Sequence, residues 1–139
     1  MSVENRSTAI PCLRYRDAKA AIDFLCRAFG FTQKMVVPGD GDTIAHAELT
    51  HSAGMIMLGS MKEGAYDNLM ARKTPRELGG GTQSVYVVVA DADAHHARAL
   101  KEGAEIVIAL ATHDYGRDYT CRDPEGHVWT FGSYDPWAS

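Results

Sequence analysis

The stretch CRDPEGHVWTFGSY, residues 121–134, reads as a tight turn followed by a strand. In Asp123-Pro124-Glu125-Gly126 the proline presets φ at the second turn position, and the glycine tolerates the conformation that follows. From His127 to Tyr134, valine, tryptophan, threonine and phenylalanine suit a half-buried sheet. Upstream, RDYTCRD (117–123) is the other strand of this hairpin. Before it come a polar loop, ATHDYG (111–116), and a strand, AEIVIAL (104–110). Further back, SVYVVVAD (84–91) is a strand and AHHARALKE (94–102) a helix, capped by Asp91 or Asp93 and ended by Gly103. The order is β-α-β-β-β.

The same order occurs once before. After a polar tail (1–8), AIPCLRYRD (9–17) alternates with strand period. Asp17 is a good N-cap for AKAAIDFLCRAF (18–29), whose Ala21, Ile22, Leu25, Cys26 and Phe29 share one helical face, and Gly30 stands at the C′ position. FTQKMVV (31–37), TIAHAELTH (43–51) and GMIMLGS (54–60) then read as strands, the last two as a hairpin closed by Ser52-Ala53. An offset of about 72 to 74 residues lays Asp17 on Asp91, Gly30 on Gly103 and Gly54 on Gly126. The expected fold is α+β: two tandem βαβββ modules, 9–60 and 84–134, in one structural domain. Residues 61–83 are read as a linker with a helical turn around Asn68 to Ala71 and a flexible triple glycine at 79–81.

The chain has 139 residues, 45% hydrophobic and 23% charged, which suffices for one domain with a real core. A net charge of −4, with no basic stripe, argues against nucleic acid and anionic membranes as partners. No apolar run approaches the roughly 20 residues that span a bilayer. Cys12, Cys26 and Cys121 form no CxxC pair, and MSVENRSTAI lacks the marks of a signal peptide. The expectation is a cytoplasmic protein with reduced thiols.

A doubled βαβββ unit with LRYRDAKAAIDFL at its front and RDPEGHVWTFG at its back resembles the vicinal oxygen chelate superfamily, over roughly residues 9–134. That group includes glyoxalase, fosfomycin-resistance and bleomycin-resistance proteins and extradiol dioxygenases. The resemblance implies curved mixed sheets around a cup, often at a homodimer. It also implies four metal-ligand positions, which fall on Ile10, Met57, Ser84 and Thr130. None offers the carboxylate or imidazole that a hard divalent ion or zinc takes. No metal and no cofactor are therefore expected.

Strand alternation sorts the remaining side chains. With Leu13 and Tyr15 on the helix, Ile10, Cys12 and Arg14 face the cup. Ser84, Tyr86 and Val88 do so in the second module. Ala45, Ala47 and Leu49 are expected in the core. His46 and Glu48 then lie on the cup face, with Asp118 and Thr120 as counterparts, while Tyr119 and Cys121 turn inward. Thr130 lines the last strand with Val128, and Trp129 and Phe131 face the helix. His46 and Glu48, two apart on one strand face, could share a proton or anchor a ligand; they could equally be a solvated pair. Tyr115, Arg117 and Trp137 are candidates to cover the mouth. His95, His96, His113 and His127 are read as surface or edge residues.

The expected function is metal-free binding of a small aromatic or amphipathic molecule, as in drug sequestration. The alternative is an enzyme of the same superfamily, a lyase, isomerase or dioxygenase, using His46 and Glu48 or a metal at other positions.

Overall fold

A computed structural model describes residues 6–138, so most of the polar tail expected at 1–8 lies outside the described residues. Its elements follow the doubled order. The first half holds β1 (Cys12–Tyr15), α1 (Ala18–Phe29), β2 (Thr32–Pro38), β3 (Ile44–His51) and β4 (Gly54–Ser60). Two short helices, α2 (Ala65–Asn68) and α3 (Pro75–Leu78), come next. The second half holds β5 (Val85–Val88), α4 (Ala92–Lys101), β6 (Glu105–His113), β7 (Gly116–Arg122) and β8 (Val128–Gly132). The chain divides into two compact units, Met1–Thr74 and Pro75–Ser139.

Each unit carries one four-stranded mixed sheet. The orders are β1-β4-β3-β2 and β5-β8-β7-β6, one permutation used twice. In each, the first strand runs parallel to the last, and the other pairings are antiparallel. Helix α1 starts where Asp17 accepts a hydrogen bond from the Ala20 amide at 3.0 Å and stops at Gly30, whose φ of 83° is left-handed. Helix α4 repeats this: Asp91, not Asp93, is its cap, accepting from the Ala94 amide at 3.0 Å.

One face of each sheet holds the core. In the first unit Tyr15, Leu25, Phe29 and Leu49 are fully buried; in the second Tyr119, Cys121, Trp129 and Phe131 are. Helix α1 buries Phe24 and Ala28 beyond its expected stripe, and Cys26 sits at the margin. Ala45 was expected in the core, but Ile44 is buried there instead, because the pairing of β2 with β3 slips between Val37 and Pro38.

Three further expectations need correction. The loop expected at 111–116 is mostly strand: β6 runs to His113, and only Asp114 and Tyr115 make the turn. His95 and His96 are half-buried rather than superficial. The His95 ring stacks on Phe131 at 4.1 Å and its Nδ1 shares a 2.6 Å hydrogen bond with the Tyr119 hydroxyl, while His96 meets Tyr119 edge-on at 4.9 Å.

Residues 61–83 are not one linker. The helical turn expected at 68–71 is α2, ending at Asn68, and the unit boundary falls at Thr74. Helix α3 belongs to the second unit, where Arg76 clasps the Asp123–Gly126 turn. The Arg76 amide donates to the Glu125 carbonyl at 3.1 Å, and its guanidinium donates to the Pro124 carbonyl and the Glu105 carboxylate. Gly126 has φ 94°, and a Cβ there would lie 2.6 Å from the Arg76 amide nitrogen, so only glycine fits.

Candidate functional site

The sheet faces turned away from the helices carry the polar residues. In the first unit Cys12 is paired with Met57, Met57 with Glu48, and Glu48 with Met35, so one row crosses all four strands. His46 is the neighbour of Val37 on β2. His46 Nε2 and Glu48 Oε2 lie 2.9 Å apart, both partly exposed. An imidazole held by a carboxylate can accept or donate a proton at its other nitrogen. The i, i+2 spacing on one strand face brings the two side chains together.

Arg14 stands beside Gly59, where a Cβ would fall 2.6 Å from the Arg14 Nη1. Its Nε lies 3.3 Å from Asp67 Oδ1, and its guanidinium carbon sits 4.8 Å from the centre of the Tyr66 ring. Asp67 is 2% exposed and also accepts from the Lys62 amide at 3.0 Å. Arg14 is thus held between a glycine floor and helix α2. Neither Asp67 nor Tyr66 was legible as a partner, because both lie in a stretch without periodicity.

In the second unit Tyr86 pairs with Thr130 and Thr130 with Thr120, and the two threonine hydroxyls share a 2.7 Å hydrogen bond. Gly132 is the second glycine floor: a Cβ there would meet the Tyr86 hydroxyl at 2.7 Å and the Asp118 Cβ at 2.8 Å. The Tyr86 hydroxyl donates to the Tyr134 carbonyl at 2.7 Å. Burial, and then the Asp118 charge, raise its pKa above the ordinary tyrosine value.

Asp118 Oδ1 accepts from His113 Nε2 at 3.1 Å. The His113 ring stacks parallel to Tyr115 at 5.1 Å, and Tyr115 meets Tyr134 nearly at right angles at 5.9 Å. Tyr115, expected to cover the mouth, is thus linked to Asp118 through His113. His113 and Tyr134 complete the group, although the sequence marks His113 as a surface or edge residue.

Arg117 does not join this face. It points to α4, where Nε and Nη2 bind the two Asp93 oxygens at 2.9 and 3.0 Å, and Nη1 binds Thr112. The mutual bond holds Asp93 below and Arg117 above their ordinary pKa values. Arg117 has the parity of Tyr119 and Cys121, the helix-facing side. Trp137 is 93% exposed, its amide donating to Asp135.

With two sheets of this order and these faces, the family is decided by a match of the Glyoxalase/Bleomycin resistance protein/Dioxygenase superfamily model over residues 8–131. The chain belongs to that superfamily. A superfamily structure from Frankia sp. EAN1pec, described as a glyoxylase/bleomycin resistance protein/dioxygenase domain, shares the fold at 16% identity, TM-score 0.70, with 93% and 98% of the two chains covered. TioX from Micromonospora sp. ML1 is 31% identical with a TM-score of 0.69, over 93% of this chain and 99% of TioX. An uncharacterized protein of Mycobacterium tuberculosis, Rv0887c, is 34% identical over 135 residues, 95% of this chain and 77% of its own length.

Within the superfamily frame, Met57 and Thr130 hold one register place, Cys12 opposite Met57 and Tyr86 opposite Thr130. Ile10 and Ser84 lie just ahead of β1 and β5. A thioether, two hydroxyls and an alkyl group do not fit a hard divalent ion or a zinc site. Among the described residues, no group of three or more His, Cys, Asp or Glu is placed to hold a metal ion. Among them too, no helix is long and apolar enough to cross a membrane.

Proposed function

We propose that this superfamily member is a metal-free binding protein for a small aromatic or amphipathic molecule, with contacts supplied by the open sheet faces. The observation that carries the reading is the content of the four superfamily positions: Ile10, Met57, Ser84 and Thr130. Without a donor set, Lewis-acid activation of a chelating substrate has no anchor in these residues. What remains on the faces is apolar surface, rings and a few polar groups, the mixture that small-molecule sites use. Cys12, Arg14, His46 and Glu48 supply the polar groups in one unit, and Tyr86, Asp118, Thr120 and Thr130 in the other.

The test is a ligand panel read by thermal unfolding, with metal content measured alongside. A ligand at about 100 times its Kd stabilises the native state by about 2.7 kcal/mol, a rise of roughly 8 °C for a domain of this size. Flat melting temperatures across the panel, or about one equivalent of bound metal after soaking in Zn²⁺, Mn²⁺, Ni²⁺ and Fe²⁺, would overturn the reading.

A second reading rests on the 2.9 Å bond between His46 and Glu48. There His46 is a proton-transfer group oriented by Glu48 in a lyase or isomerase. His46→Ala and Glu48→Ala should then abolish turnover while melting like the parent; unchanged turnover in both removes the reading.

A further inference from the structure

The β6–β7 turn and the segment after β8 bring together rings and a carboxylate whose chemistry is more specific than the proposed function. We propose that His113, Tyr115, Tyr134 and Asp118 form a site for an organic cation, a ligand carrying a quaternary or aromatic ammonium group. This rests on the binding-protein reading and names its ligand class.

The rings are disposed for it. Tyr115 and Tyr134 are 58% and 46% exposed, and their planes meet at 81°, giving two walls of a corner. His113 lies parallel to Tyr115, within 8°, and backs it. A cation within about 6 Å of a ring centroid is attracted by the ring quadrupole, more strongly as it loses water. A carboxylate adjoins these rings, since His113 bonds Asp118 as well as stacking on Tyr115. Asp118 is only 15% exposed on its side chain, and Gly132 lets its Cβ and the Tyr86 hydroxyl come together. His113 occupies one oxygen of Asp118, and a carboxylate can accept more than one donor.

The local charge agrees. Residues 113–118 and 132–138 contain three acids, Asp114, Asp118 and Asp135, and one cation, Arg117. That cation is held away by both oxygens of Asp93. An anionic ligand would meet repulsion here, and a neutral one would draw nothing from the carboxylate charge.

The experiment is an amide-resolved NMR titration of the full chain with benzyltrimethylammonium and with neopentylbenzene, its uncharged isostere. The cation should shift amides at 113–118 and 132–135 and saturate, and the isostere should bind at least tenfold more weakly. Asp118→Asn should weaken the cation at least tenfold and Tyr115→Ala several-fold. Glu102→Gln, at the end of α4, should leave it unchanged. Melting curves near the parent's establish that the variants are folded. Equal affinity for the two compounds, or an unaltered cation affinity in Asp118→Asn, overturns the cation site. If both compounds bind and shift other residues of the open faces, the binding-protein reading stands and the cation site falls. If neither compound nor any member of the panel binds, both fall.

Discussion

Asp123 shows how much a single side chain does in the stretch that announced the fold. It is 1% exposed, and its Oδ1 accepts from the amides of Glu125 and His127, both at 3.1 Å. Its Oδ2 accepts from the buried Trp129 Nε1 at 3.1 Å. Removing the carboxylate strands three donors, one of them on the largest core side chain. Asp123→Ala should lose about 3 kcal/mol of stability in urea titrations, with Trp129 fluorescence shifting as its environment loosens. Cys121, two residues earlier, makes a pH prediction. Burial, and then the Asp123 charge, push its thiol up to about 12 from an ordinary 9.0. Between those values the unfolded chain has lost a proton that the folded chain keeps, so stability must fall as pH rises. The Tyr119 hydroxyl, raised chiefly by burial, adds in the same direction. Urea midpoints should decline from pH about 9 upward, and Cys121→Ala should flatten that slope whatever it does to the midpoint at neutral pH.

At the scale of elements, short segments are fixed by single charged residues. Helix α2 is tied to β1 by Asp67, whose carboxylate meets both Arg14 and the Lys62 amide. Asp67→Ala leaves a partly buried guanidinium without that carboxylate, so a loss of about 2 kcal/mol is expected. Trypsin should also cut faster at Lys62, Arg72 and Lys73; cleavage at the parent rate would mean that α2 is held by something else. The Arg117–Asp93 pair is a contrast. It is bidentate, yet exposed on both sides, and solvent screens it. Arg117→Ala should leave the urea midpoint nearly unchanged, and ligand affinity should not change, since the side chain lies off the open face. The elements themselves were legible: α1 and β4 carry the bounds read from periodicity and caps, because a helix or hairpin is set by residues a few positions apart. Helix α3 was missed although Thr74-Pro75-Arg76-Glu77 carries a helix-start pattern, proline at the first position and glutamate two residues later.

For the whole molecule, each sheet ends on two edge strands, β1 and β2 in one unit and β5 and β6 in the other. Edges invite a cover, and we propose that a second copy supplies it. Sedimentation should give twice the chain mass; a monomer at every concentration would count against the dimer. The doubled order, the helix caps, the inward parity of Tyr119, Cys121, Trp129 and Phe131, and the residue types at Ile10, Met57, Ser84 and Thr130 were all determined by the sequence. Each depends on spacing along one chain or on residue type alone. Tertiary structure decided the rest: Asp67 beneath Arg14, Arg76 on the Asp123–Gly126 turn, Arg117 turned to Asp93, and His113, Tyr115 and Tyr134 gathered about Asp118. These partners are 53, 47, 24 and up to 21 positions apart. A polar side chain chooses among all groups that folding brings within about 3 Å, and no local period records that choice.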